Sequence, residues 1–215
     1  GSVEILGSTG SDTLQGGAGS DSIDAGEGDN LVNAGAGNDT VTSGAGADTI
    51  DAGEGNNTVD AGSGDNSVTT GSGTDSITAG TGNDSIVAGA GNDTVSSGAG
   101  DDYIDAGAGA DSVVAGAGND TLVFDAADQI IDGGAGNNVL KVNEASVDLT
   151  TIANTQLVNI QAIDLTNSTA SILTVGETDV AALLQAGATK LYVKGDSTDK
   201  VVFRDSWQNT GTATV

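Results

Sequence analysis

The sequence has no cysteine and no histidine among its 215 residues. Without cysteine there is no disulfide, no thiolate metal site and no thiol nucleophile. Without histidine as well, nucleophilic catalysis would fall to Ser or Thr activated by Asp or Lys, and no local motif supplies that pairing. Bases are nearly absent: Lys and Arg number five against 31 Asp and Glu, for a formal net charge of −26. Residues 1–140 carry 23 acidic side chains and no base, while Lys141, Lys190, Lys194, Lys200 and Arg204 follow beside eight acids. A polyanion of this kind is repelled by nucleic acid and by anionic membranes, and its natural partner is a cation. Long apolar runs are missing too. Nothing approaches the roughly 18 residues of a membrane-spanning helix, so no membrane insertion is expected, and no N-terminal signal peptide is visible. Carboxylate pairs at glycosidase spacing could be found anywhere in so acidic a chain and carry no signal. The chain is read as non-enzymatic.

What the sequence does have is glycine, 35 residues of it, arranged in a strict period. A nine-residue unit runs fifteen times without insertion or deletion, from residues 7–15 to residues 133–141. Glycine recurs at unit positions 2 and 4, Asp or Asn at position 6, and an aliphatic residue at position 8. That eighth position never fails: Leu14, Ile23, Val32, Val41, Ile50, Val59, Val68, Ile77, Ile86, Val95, Ile104, Val113, Leu122, Ile131 and Leu140. A disordered polyelectrolyte would not keep these residues in phase. The period instead predicts an all-β solenoid whose neighbouring repeats bury each other's single apolar face. In residues 79–87, the first six include two glycines suited to tight turns with positive φ, and the last three read as a short strand with one inward side chain. Two units then make one turn of the coil. Stacked turns give two parallel sheets, with each unit beside the next but one at about 4.8 Å.

Stacking also aligns the sixth positions. Ten are aspartate: Asp12, Asp21, Asp39, Asp48, Asp75, Asp84, Asp93, Asp102, Asp111 and Asp120. Four are asparagine (Asn30, Asn57, Asn66 and Asn138), and the unit at 124–132, which has lost both glycines, has Gln129. One isolated Asp in a Gly-rich turn would be read as a turn residue bonding its own backbone. Ten at fixed phase are read as metal ligands. Neighbouring carboxylates repel one another, and one buried aliphatic per nine ordered residues is a thin return against chain entropy. A cation between the turns reverses the repulsion. Oxygen-rich loops suit a hard ion, and calcium is favoured over magnesium, which demands stricter geometry. The metal would be part of the fold. Asn30, Asn57 and Asn66 are expected to coordinate through their amide oxygens with less electrostatic gain, and the unit at 124–132 to bind nothing. Pairs of carboxylates such as Asp75/Asp93 and Asp102/Asp120 place the tighter sites beyond about residue 75.

These units resemble the RTX nonapeptide, G-G-x-G-x-D-x-U-x, well over residues 7–123 and loosely over 124–141. Position 1 usually departs from that pattern, with Ala, Ser or Thr in place of the family's glycine, as at Ala34, Ser43 and Thr70. The resemblance implies a right-handed parallel β-roll with several calcium ions held in its turns, largely unfolded at low cytosolic calcium. It also implies bacterial type I secretion, with the secretion machinery as a partner during export, and a secreted or cell-surface location.

After residue 141 the glycine period stops. Residues 142–215 carry strand-like runs at 157–165, 172–175, 190–193 and 200–203, and a short helix is expected at 177–185, started by Thr178 with Val180, Leu183 and Leu184 on one face. Phe124, Tyr192, Phe203 and Trp207 lie near or beyond this end. A solenoid needs its last rung covered, so residues 1–141 are read as the roll and 142–215 as a mainly β capping segment. Gln161-Ala162-Ile163-Asp164-Leu165-Thr166 and Gly195-Asp196-Ser197-Thr198-Asp199 resemble the region after the repeats of large secreted adhesins. The expected function is therefore a calcium-dependent folding module, a monomeric segment of an exported adhesin. Two alternatives remain open. An ice-binding solenoid would use outward pairs such as Thr40/Thr42, Ser76/Thr78 and Thr94/Ser96, although Asp24 and Asp60 interrupt that column. The segment could also be the non-catalytic C-terminal module of a secreted enzyme or toxin.

Overall fold

The computed structural model describes residues 1–166, 171–184 and 190–204. The chain coils through two long sheets, alternating between them every nine residues. The first sheet starts at Glu4–Ser8 and Ser22–Gly26 and ends at Ile130–Asp132 and Leu157–Val158; the second runs from Thr13–Ala18 and Leu31–Ala36 to Ala162–Asp164 and Tyr192–Lys194. Every pairing is parallel, and within the repeats each joins one unit to the next but one, so Ile23 faces Val41, Ile86 faces Ile104 and Val95 faces Val113. The period thus produces the expected two-sheet roll.

The eighth-position side chains fill its interior, Val32 and Ile86 having no exposed surface. Leu14 is only partly buried, because it lies at the open first turn. Ile5 precedes the first complete unit in the same phase and pairs with Ile23, so the roll begins half a turn earlier than the glycines indicate. Position 1 also points inward. Ala25, Ala52, Ala79 and Ala115 are fully buried, as are Ser43 and Ser97. The strand alternation simply continues two residues past the aliphatic position, and the residue there is small because the chain is about to turn.

The turns bring backbone onto backbone. Gly80 has φ +99, and a Cβ on it would lie 1.7 Å from the Gly62 carbonyl oxygen; Gly109, at φ +153, would place one 1.4 Å from the Gly91 oxygen. Any other residue would have to push the turns apart. Close approach closes a hydrogen-bond ladder through the turns, as where Ser63 N–H donates to Gly44 and Gly46 N–H donates to Ser63.

Beyond Lys141 the sheets continue, but the coils between rungs lengthen. Leu157 pairs with Ile131, Ile163 with Leu140 and Val193 with Ile163. The single run expected at 157–165 is divided at Asn159, whose φ of 59 turns the chain from the first sheet to the second. A third parallel sheet, Ser146–Asp148, Ile172–Val175 and Lys200–Phe203, gives these coils another side. The helix, Glu177–Leu183, packs on the last strand of the first sheet, and Ile160 N–H donates to Leu183 at its end. It covers an edge that would otherwise be open for pairing. Its N-cap is Gly176 rather than Thr178, because Asp179, three residues on, accepts the Gly176 N–H at 2.7 Å. Leu183 is buried and Val180 packs against the core; residue 185 lies outside the described residues. The last strand of the second sheet is Tyr192–Lys194, two residues later than expected. Phe124 is buried, Tyr192 and Phe203 are exposed, and Trp207 lies outside the described residues. Among the described residues no helix is long and apolar enough to cross a membrane.

Candidate metal centre

The sixth-position side chains form two columns, one along each edge of the roll. In both, one oxygen of each side chain accepts the backbone N–H of the sixth residue in the preceding turn. Asp39 accepts from Asp21 at 2.8 Å, Asp93 from Asp75 at 2.8 Å and Asp111 from Asp93 at 2.7 Å. On the opposite edge Asp102 accepts from Asp84 at 2.8 Å and Asp120 from Asp102 at 2.9 Å. These bonds satisfy N–H groups that the turn would otherwise bury without a partner. Position 6 therefore has a structural task that does not depend on any metal.

The second oxygen has no such partner. Oδ2 is buried and unpaired in Asp21, Asp39, Asp48, Asp75, Asp84, Asp93, Asp102, Asp111 and Asp120. Asp111 and Asp120 have no exposed surface, and the other seven are nearly as enclosed. A buried carboxylate oxygen without a donor is costly. Burial, aided by neighbouring carboxylates, raises Asp84, Asp93 and Asp120 from the ordinary carboxylate range to about 6. Burial pushes Asp102 and Asp111 up as well.

Asparagine at the same place behaves differently. Asn57 Oδ1 accepts the Asp39 N–H at 3.0 Å, while its Nδ2 donates to the carbonyls of Gly53 and Gly55, at 3.0 and 3.1 Å. Asn66 Nδ2 donates to Gly64 at 2.9 Å, and Asn30 Nδ2 to Gly28 at 2.8 Å. The turn interior thus presents carbonyl oxygens to the outer atom of the sixth side chain. Where that atom is a nitrogen, they are satisfied. Where it is a carboxylate oxygen, acceptor meets acceptor, and a hard cation is what would satisfy both. The residues present therefore fit calcium. Its ligands would be one or two carboxylates with backbone carbonyls: among the described residues, no three acidic side chains converge on one point.

Two members of the columns depart from the frame. Asp12, at the open first turn, is half-buried, and its Oδ2 accepts from the Ser8 N–H at 2.6 Å and hydroxyl at 2.9 Å. In the unit at 124–132, Gln129 is exposed and Asp128 takes the place in the column. Asp128 Oδ1 accepts from Asp111 N–H at 3.4 Å and its Oδ2 is buried and unpaired. Burial, with Asp111 beside it, pushes Asp128 up to about 8. Asp125 makes this possible by accepting the Ala127 N–H at 2.8 Å, which forms a turn without glycine. Gln129 and Ile130 then both donate to the Asp111 carbonyl, the mark of a bulge. The signal in the sequence was an Asp one residue early, after a turn-forming Asp. Gln161 extends the other column past the repeats, accepting the Asn138 N–H at 2.6 Å.

A second ladder lies outside the first. Fifth-position side chains accept the N–H of the fifth residue in the following turn, as Asn83 does from Asp101 at 2.8 Å and Asn92 from Ala110 at 3.0 Å. These groups are exposed and already engaged.

The RTX calcium-binding nonapeptide repeat, taken four copies at a time, matches residues 6–41, 33–68, 42–77, 69–104, 88–122 and 125–143. No curated protein and no solved structure shows a significant match to the chain. The repeat matches span well over half of the sequence, and they fall on the coils whose turns hold the carboxylate columns. The chain belongs to the family of RTX calcium-binding nonapeptide-repeat proteins.

Proposed function

We propose that this chain is a calcium-gated folding module of a bacterial surface or secreted protein, an adhesin in particular. The observation that carries the reading is the set of buried, unpaired Oδ2 atoms at the sixth positions. Calcium bound there supplies the positive charge and the open coordination positions that carboxylate and carbonyl oxygens together require. Asp21, Asp39, Asp48, Asp75, Asp84, Asp93, Asp102, Asp111 and Asp120 would hold it. At low calcium the columns repel and the chain stays extended, in a form that can thread an exporter. At millimolar calcium outside the cell the turns lock in succession, and the folded part opposes back-sliding. The C-terminal coils, which close one end of the roll, would emerge first and nucleate it. The adhesin assignment rests on the resemblance of residues 161–166 and 195–199 to the segment after adhesin repeats.

Far-UV circular dichroism in chelator, then with calcium raised to about 10 mM and magnesium as control, tests the reading. A cooperative coil-to-β transition with calcium alone is the expected result. A β spectrum that chelator leaves unchanged would overturn it. For ice binding the outward face offers one column of hydroxyls, Ser22, Thr40, Thr58, Ser76, Thr94 and Ser112, but Asp24, Asp60, Val114 and Asp132 interrupt the column beside it, so hydroxyls stand two abreast only at Thr40/Thr42, Ser76/Thr78 and Thr94/Ser96.

A further inference from the structure

The two chemistries found at position 6 divide the turns into two kinds. In every turn the inner oxygen of the side chain must accept an N–H, which fixes which way an asparagine amide points. Its nitrogen then occupies the place that Oδ2 holds in an aspartate. At Asn57 that nitrogen donates to two glycine carbonyls of its own turn, at 3.0 and 3.1 Å. At Asn66 and Asn30 it donates to the carbonyl of the fourth-position glycine, at 2.9 and 2.8 Å. The amide is also neutral, so it brings no charge for a neighbouring carboxylate to repel.

We infer that Asn30, Asn57 and Asn66 are built-in substitutes for the cation, closing their turns with an amide N–H so that no calcium is bound or needed there. This rests on the calcium reading of the aspartate turns. It has a consequence for the shape of the response. Before residue 70 the amides are interleaved with aspartates, and each column of charge is broken. From Asp75 to Asp128 no amide intervenes on either edge. The first half of the roll is thereby part-closed in advance, and the calcium requirement is concentrated in the second half.

The test uses the full chain carrying Asn57→Asp, and separately Asp93→Asn, with bound calcium counted by equilibrium dialysis at saturation and folding followed by circular dichroism. Asn57→Asp should bind about one calcium ion more than the unaltered chain, and Asp93→Asn about one fewer while keeping its β spectrum. An unchanged count in a folded Asn57→Asp chain would mean the amide turn already holds an ion, and the inference falls. If Asn57→Asp fails to fold, Asp93→Asn decides alone: retention of its ion overturns the inference. Failure of the calcium reading is read separately, from an unaltered chain whose folding ignores calcium.

Discussion

A sixth-position aspartate performs two tasks with two oxygens. One holds the N–H of the preceding turn whether or not metal is present; the other has no partner within the protein. This division explains why asparagine is tolerated, since it keeps the first function and answers the second with a donor. The phase of the ligands is legible in the sequence because it is periodic. The N–H bond is not, because it joins residues 18 apart across turns and leaves no local mark. The same unpaired oxygens make the metal-free fold sensitive to pH. Asp84, Asp93 and Asp120 titrate at about 6 in the folded chain against an ordinary value of 3.8, and Asp128 at about 8. Between those values the folded chain binds more protons than the unfolded one, so acid favours folding. The stabilisation is complete below the ordinary value and is lost as pH rises through about 6, and for Asp128 through about 8. In chelator, β content should therefore rise as pH is lowered from about 7.5 to about 5. Circular dichroism at fixed ionic strength would check this, and a loss of β structure on acidification would contradict it.

At the level of the single coil, the repeat tolerates loss of its glycines if another turn can be built. The unit at 124–132 shows how. Asp125 forms the turn, Phe124 fills the first-position space that elsewhere holds only small residues or Thr, and Ile131 stays opposite Val113. The extra residue is pushed outward as Gln129, and Asp128 enters the column in its place. Reading by frame alone selects Gln129, because frame-counting assumes that every turn has the same length. Asp128→Ala should accordingly bind about one calcium ion fewer, while Gln129→Ala binds as many as the unaltered chain. Equal counts for the two variants would show that the column ends at Asp111. A similar local event hid part of the C-terminal fold. Residues 157–165 look like one strand because apolar and polar residues roughly alternate along them; Asn159 in a left-handed conformation divides them between two sheets. The runs at 172–175 and 200–203 were readable, since each is a short apolar segment that pairs over its whole length.

For the whole molecule, the repeats leave an apolar interior open at each end. At one end Leu14 and Ile5 remain only partly buried; at the other, Leu157, Ile163 and the helix cover the last regular rungs. Deleting residues 142–215 would bare the edges at Ile130–Asp132 and Val139–Lys141 and expose Ile131 and Leu140. The truncated chain should lose calcium-induced folding or associate through the exposed edge. Size-exclusion chromatography with circular dichroism in calcium would show either result, and a monomer with an unchanged transition would refute a nucleating role for these residues. The uniform pairing of each unit with the next but one has a further consequence. In an ordinary sheet a slip of one residue turns every side chain to the wrong face. Here a slip by one whole coil turns none: glycine still meets glycine, and aliphatic meets aliphatic. Within the repeats, sequence alone hardly distinguishes one alignment from the next. The distinguishing marks are the irregular ones, the bulge at Gln129, the corner at Asn159 and the unequal coils that follow. A roll grown from that end has a single possible alignment, whereas one begun among the uniform repeats has several. The irregular end acts as the zero mark on a scale whose other divisions are alike.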